Sequence, residues 1–243
     1  MIRIYQNFPL SDNAVIDLDT AASHHVARVL RAQIGEKLVI FNGQGGEYPA
    51  DIIGIDKKKV TIKTQLFSPR CVESPLNVCL AQGISRSEKM DFTIQKAVEL
   101  GVKCIVPLLT ERTTIKLKEE RSQKRVEHWQ SVIVSACEQS GRNILPKLLP
   151  PQLLSSWLPS AKADERFVLS PTARRKLSTF QVANNASVIV LVGPEGGLSD
   201  KEIHIANQHG FAELNLGPRI LRTETAGLAV LSALQSCFGD LGS

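Results

Sequence analysis

The sequence predicts an α/β protein in two parts. A small N-terminal β-barrel covers residues 1–70, and a domain over residues 74–243 alternates strands with helices around a mainly parallel sheet. Three observations predict it. Short β-rich runs separated by turn signals, at the roughly 8–12-residue spacing of small all-β folds, fill the first part. From about Ser74 onward, apolar runs alternate with stretches of helical periodicity. Between the two lies the stretch from Ser68-Pro69 to Ser74-Pro75, which reads as a linker.

The elements follow in order. Met1 to Phe8 lacks the apolar core of a secretory signal and reads as a strand. Ser23 to Arg31 interrupts with a helix that places Val26, Val29 and Leu30 on one face and Arg28 and Arg31 on another. Strands are expected at Lys37–Phe41, ending in Asn42-Gly43 and Gly45-Gly46, at Tyr48–Ile55, and at Val60–Thr64 after the turn Asp56–Lys59. In the second part Leu76–Ala81 is a buried strand. Glu88–Leu100 is a helix with Met90, Ile94, Ala97 and Val98 on one side and Gly101 at its end. Cys104–Leu108 is a strand, and Glu119–Ser140 is a long helix that buries Val126, Trp129, Ile133, Ala136 and Cys137 before Gly141. Phe167–Leu169 and Val188–Val192 are continuous apolar strands, as in sheets covered on both faces. Ser199 with Glu202 makes a capping box for a helix ending at Gly210. A strand at Ala212–Leu216 and a last helix at Thr223–Cys237 complete the chain. In that helix Leu228, Leu231 and Leu234 form either core or a dimer surface.

Composition narrows the function classes. Of 243 residues 43% are hydrophobic and 22% charged, the balance of a globular protein rather than a disordered one. No apolar run approaches the ~20 residues of a membrane-spanning helix. Five cysteines, an odd number without a CxxC pair, argue against a disulfide framework or a zinc site and for reduced thiols in a cytoplasmic protein. None has an evident basic partner, so they are expected to be inert. The net charge of +5 is spread thinly: residues 1–70 carry 9 basic and 7 acidic groups. Only clustering would make it an RNA footprint.

Ligands of parallel sheets bind beyond the carboxyl ends of the strands. Two glycine loops stand at such ends, Gly193-Pro194-Glu195-Gly196-Gly197-Leu198-Ser199 and Leu216-Gly217-Pro218-Arg219-Ile220-Leu221-Arg222-Thr223. Glycines there let backbone N–H and C=O groups approach a ligand. Neither loop has the lysine of a P-loop, and no Gly-x-Gly-x-x-Gly fingerprint opens the first βα unit. No HExxH motif or His/Cys cluster suggests a catalytic metal. Ser170 and Ser199 lack a hydrolase nucleophile setting. A compact, largely uncharged cofactor held by backbone groups is what remains.

The two loops, with Glu224-Thr225-Ala226 after the second, closely resemble those of the ribosomal small-subunit RNA methyltransferase E family within the SPOUT superfamily. Lys96-Ala97-x-Glu99-Leu100-Gly101-Val102 is similar too, as are Glu138-Gln139-x-x-Arg142 with Pro146 and His24-His25-x-x-Arg28-Val29-Leu30-Arg31. The resemblance spans nearly the whole chain. It implies a PUA-like or OB-like barrel, an α/β domain with a deep trefoil knot, a homodimer, and methyl transfer from S-adenosylmethionine to N3 of a uridine in 16S ribosomal RNA, within the small subunit. It further implies that Leu169-Ser170-Pro171, Gly193 to Gly197 and Leu216 to Thr223 hold the cofactor, with Leu198, Ile220 and Leu221 as apolar walls.

Uridine N3 must lose a proton to be methylated, so a base or an anion-stabilising cation is needed. Arg222 is the candidate cation and Glu195 the candidate base; an ion pair between them that fixes the loops is the alternative. N3 lies on the Watson–Crick edge, so the base must be unpaired or extruded and the RNA gripped around it. Arg3, His25, Arg28 and Arg31 of the barrel, and Arg142, are the candidates for that grip. The run Lys116, Lys118, Arg121, Lys124 and Arg125, interleaved with Glu119 and Glu120, reads as a charged helix start. Trp129 and Trp157 read as core. A non-catalytic RNA-binding or ribosome-assembly factor is the rival reading; it would share the barrel but has no need of the glycine loops.

Overall fold

The computed structural model describes residues 1–56, 59–114, 119–183 and 185–242, apart from the side chains of Glu119, Glu120 and Arg121. The chain divides into two compact units, Met1–Glu73 with Val134–Leu145, and Ser74–Ile133 with Pro146–Ser243. The break after Glu73 falls inside the expected linker. Val134–Leu145 is a correction to a boundary drawn there alone, because a single helix runs on from one unit into the other.

The N-terminal unit is built on strands β1 (Ile2–Tyr5), β2 (Val15–Asp17), β3 (Lys37–Phe41), β4 (Tyr48–Ile55) and β5 (Val60–Thr64). They form one sheet in the order β1-β3-β4-β5-β2, parallel only between β1 and β3. Alternate residues Leu38, Ile40, Ala50, Ile52, Val60 and Ile62 point to a shared core with Ile4 and Leu18. A fully paired barrel is not what the ladders show, since β1 and β2 are edges. A side-chain clasp joins them instead. Buried Gln6 donates its amide to Asp19 Oδ2 at 2.8 Å, and its carbonyl accepts the Asp19 N–H at 2.9 Å.

Asp19 also caps helix α1 (Thr20–His24), accepting the Ala22 N–H at 2.8 Å. The next turn, His25–Val29, is π-helical. Its wider winding undoes the expected apolar face: Val26 is buried, but Val29 and Leu30 are 59% and 41% exposed. The turn closes through Arg31, at φ +53°, with the Ala32 N–H donating to the Val26 carbonyl at 3.1 Å.

The second unit carries a wholly parallel sheet in the order β12-β10-β11-β6-β7-β8, with β9 also on β7. Its strands are β6 (Asn77–Gly83), β7 (Cys104–Leu109), β8 (Lys147–Leu148), β9 (Gln152–Leu153), β10 (Glu165–Leu169), β11 (Ser187–Val192) and β12 (Ala212–Leu214). Its helices are α2 (Ser87–Glu99), α3 (Glu119–Ser140), which continues into the other unit, α4 (Leu154–Trp157), α5 (Asp200–Gln208) and α6 (Thr223–Phe238). Strand neighbours point to opposite faces. Leu80 faces Gly227 of α6, and Ala81 joins the cluster of Trp157, Leu158, Ala206 and Phe211 on the other side. Burial of nearly every residue of β11 explains its unbroken apolar sequence. Leu231 and Leu234 are fully buried within this chain and so serve the core. Cys104 is paired in register with Cys79 on one side and Lys147 on the other, correcting the expectation of no basic neighbour. A hydrogen bond from the Cys79 thiol, with the Lys147 charge, holds the Cys104 thiol below its ordinary value.

Candidate active site

Three adjacent parallel strands, β12, β10 and β11, end side by side. The loops that leave them, at Leu169–Pro171, Gly193–Leu198 and Asn215–Thr223, line one cavity of about 660 Å³. Leu169, Ser170, Gly193, Pro194, Glu195, Gly196, Gly197, Leu198, Leu216, Gly217, Ile220, Leu221, Arg222 and Thr223 all lie on its wall. Pro171 and Asn215, 44 positions apart in sequence, thus meet because the sheet order places sequence-distant strands together. Ile220 is the exception among the expected apolar walls: at 86% exposed it stands at the mouth.

The loops are fixed from beneath. Buried Gln82, at the end of β6, donates to Thr223 Oγ1 at 2.8 Å and to the Gly193 carbonyl at 3.3 Å, and Thr223 Oγ1 donates to the same carbonyl at 2.5 Å. A Cβ at Gly83 would stand 2.5 Å from the Pro194 nitrogen, so the first loop rests directly on β6. Arg112 Nη1 donates to the Gly196 carbonyl at 2.9 Å. Asn215 shapes the other side, accepting the Gly217 N–H on Oδ1 at 2.6 Å and donating from Nδ2 to the Pro171 carbonyl at 2.7 Å. The capping box of α5 is complete, and Glu202 also accepts the Glu111 N–H at 2.8 Å.

The charges at the cavity follow a pattern the sequence does not show. Glu195 Oε1 accepts the Arg86 N–H at 3.0 Å, at the start of α2. Lys89 Nζ lies 4.0 Å from Glu195 Oε1 and 3.8 Å from Glu224 Oε2. Arg222 is exposed and has no ion-pair partner among the described residues, so the Glu195–Arg222 pair is not made. Gln82, Lys89, Arg112 and Asn215 escaped the sequence reading. Only Asn215, two residues before a glycine, and Lys89, a cation in a first helical turn, leave a local trace.

The proposed RNA-contacting residues lie in the N-terminal unit and fall into two groups. His25, Arg28 and Arg31 are exposed. Arg142 is buried and the Arg3 side chain is largely covered, and each is committed to a carboxylate, which weighs against the expected role. Arg3 donates to buried Glu47 at 2.8 Å and lies 5.3 Å over the Phe41 ring, and Arg142 pairs with Glu73, Nε to Oε1, at 2.9 Å. Both are structural cations whose charge is matched inside the unit. Trp129 and Trp157 are buried, as expected of core. Lys116 and Lys118 lie outside the described residues, as do the side chains of Glu119, Glu120 and Arg121. No group of His, Cys, Asp and Glu among the described residues is arranged to hold a metal ion, and no described helix is long and apolar enough to cross a membrane.

A glycine-loop cavity at the ends of a parallel sheet, preceded by a small β unit, defines a class found by comparison as well. Residues 72–235 match the model of the RNA methyltransferase domain, and residues 18–65 that of the RNA methyltransferase PUA domain. The ribosomal RNA small subunit methyltransferase E of Buchnera aphidicola from Schizaphis graminum is 39% identical over 98% of this chain and 97% of its own. The enzyme of the same name from Bacillus subtilis is 29% identical over 87% and 86%. Two solved structures cover 99% of both chains. One is a Legionella pneumophila protein described as a methyltransferase, in complex with S-adenosylmethionine, at TM-score 0.96 and 42% identity. The other is the Neisseria gonorrhoeae ribosomal RNA small subunit methyltransferase E bound to S-adenosylmethionine, at TM-score 0.93 and 36% identity. The chain belongs to the ribosomal RNA small subunit methyltransferase E family.

Proposed function

We propose that this protein methylates N3 of a uridine in 16S ribosomal RNA, taking the methyl group from S-adenosylmethionine bound in the cavity of the second unit. The convergence of three loops from adjacent strand ends on one cavity carries the reading. Its size lies within the ~300–1,000 Å³ of small-molecule sites. Leu169, Leu198, Leu214, Leu216 and Leu221 offer apolar walls, and backbone groups of the glycine loops offer donors and acceptors. Gly217 supports the fit most directly. A Cβ there would meet no atom within 4 Å, so it would take up the cavity's own space. The cofactor supplies an activated methyl group on a sulfonium, a leaving group that needs no acid catalyst.

The chain's own residues then have two tasks. Backbone groups of Gly193 to Gly197 and Leu216 to Leu221 bind and orient the methyl donor, which converts the reaction into one between fixed neighbours. Arg222, exposed at the start of α6 and without an ion-pair partner among the described residues, meets the RNA and offsets charge on the ring or a phosphate. Glu195 braces the loop against the α2 N-terminus, a better match to its contacts than proton removal. His25, Arg28 and Arg31 grip the surrounding RNA. The knot belongs to the same reading: Thr223 is pinned to Gly193 although β12 lies beyond β10 at the sheet edge. So do a homodimer, a substrate assembled in the small subunit, and a cytoplasmic location.

Tritiated-methyl transfer to 16S RNA and to intact small subunits, with the modified atom mapped, tests the activity. Arg222→Ala should lower transfer by ~100-fold or more with cofactor affinity kept, as expected for loss of one anion-stabilising group. Glu195→Gln should cost both cofactor affinity, as the loop loosens, and transfer rate. Wild-type turnover in both variants refutes these roles.

A further inference from the structure

We propose that Lys89 is a second cation, besides Arg222, that takes up the negative charge of the uracil ring as N3 is methylated, and that Glu195 and Glu224 hold it in place. The inference rests on the uridine-N3 reading above. Lys89 is on the cavity wall, in the first turn of α2. A cation there opposes the helix macrodipole, so the helix itself gains nothing from it. What holds it is a pair of carboxylates, one in the first glycine loop and one in the first turn of α6: Glu195 Oε1 at 4.0 Å and Glu224 Oε2 at 3.8 Å. Both separations exceed hydrogen-bond distance, so the ammonium group keeps its N–H donors for another acceptor. Glu224 Oε2 is itself buried without a hydrogen-bond partner among the described residues, so its position is spent on the lysine's charge rather than on a bond of its own.

The chemistry at the uracil fits a point charge. The N3–H bond breaks and its proton passes to water. The electron pair left on N3 forms the new bond to the methyl carbon, and the old carbon–sulfur pair stays on sulfur. While N3 is deprotonated the charge is shared with the flanking carbonyl oxygens, which an ammonium donor stabilises. Lys89 contributes its charge and its N–H donors and takes no part in the proton transfer.

The test compares Lys89→Met and Lys89→Arg with the wild type on unmethylated small subunits. Four quantities are measured: melting temperature, S-adenosylmethionine affinity by calorimetry, RNA affinity, and the single-turnover transfer rate from pH 6.5 to 9.5. The Met variant should keep its melting temperature and both affinities within about threefold. It should lose ~100-fold or more in rate at pH 7, and regain much of it as uridine begins to ionise unaided. The Arg variant should recover part of the loss. A Met variant at wild-type rate, a loss that lies wholly in either affinity, or a deficit that does not shrink with pH overturns the proposal. If the Met variant does not fold, Glu224→Gln decides. A rate loss of tenfold or more with cofactor affinity kept supports the arrangement, and an unchanged rate overturns it. Mapping the wild-type product keeps the two questions apart, since methyl on another atom removes the N3 reading whatever Lys89 does.

Discussion

Single carboxylates in the N-terminal unit show how far environment outweighs residue type. Burial alone pushes the Glu47 carboxyl up, but the hydrogen bonds and charges of Arg3 and Arg70 together outweigh it and hold the group below its ordinary value. Glu138 goes the other way: burial raises it, and the Tyr5 N–H at 2.9 Å with the charges of His25 and Arg3 only partly offsets that. The signs of linkage therefore differ. Glu47 contributes stability above the unfolded carboxylate range, and this is lost as pH falls through its depressed folded value. Glu138 ionises at a cost, so it subtracts stability once pH rises past the unfolded value near ~4.3. Urea denaturation from pH 3 to 8 should show Glu47→Gln destabilised at pH 7, on the order of 3 kcal/mol because Arg3 loses a buried partner. Its acid limb should be flatter than that of the wild type. Glu138→Gln should be more stable than the wild type at pH 7, with the gain gone by about pH 4. A Glu138→Gln variant weaker at pH 7 would mean the Tyr5 contact needs the charge. None of this was legible in the sequence. Arg3 looked like an RNA contact because Glu47 is 44 positions away and Asn143, on the same carboxylate, a further 96 beyond it.

At the scale of elements, local signals were read where they act locally. Gly101 and Gly141 end their helices at φ +79° and +81°, and the Ser199–Glu202 box opens α5, all as their spacing announces. The π turn at His25–Val29 was not legible, since its extra residue per turn is fixed by Arg31 in a left-handed conformation that no glycine or asparagine marks. The two glycine loops were visible, but what they rest on was not: Gln82, Gly83 and Arg112 come from strands and connections far away in sequence. Two glycines here are required for different reasons, and that separates them experimentally. Gly83 lacks space, since its Cβ would press on loop backbone at 2.5 Å, so Gly83→Ala should cost ~1–3 kcal/mol in denaturant titration, as overpacking does. Gly217 has space but sits at φ +119°, where L side chains are strained. Gly217→Ala should cost ~1–3 kcal/mol if the loop keeps its shape, or cofactor affinity if it yields. A Gly217→Ala protein with unaltered stability and affinity would show that the loop's backbone is not what receives the ligand.

For the whole molecule, the cavity and the proposed RNA-contacting residues lie in different compact units, so the two affinities should be separable by mutation. The net charge of +5 is too dispersed to assign a footprint, and the structure thins the candidates further by committing Arg3 and Arg142 to internal carboxylates. Arg28 and Arg31 remain exposed on the π turn and beside it. If each neutralises one phosphate, replacing both with alanine removes two released counterions, and the slope of log affinity against log salt should flatten by about 1.4–1.8. S-adenosylmethionine affinity should stay within about twofold, because no described residue of the N-terminal unit lines the cavity. Arg3→Ala is the matched control with the opposite signature. It strands Glu47 in a buried site, so it should lower stability while leaving the salt slope of the folded fraction unchanged. Should Arg3→Ala flatten the slope and the double variant not, the RNA would have to reach the face that Arg3 shares with Glu47, and the π turn would be left as a structural device alone.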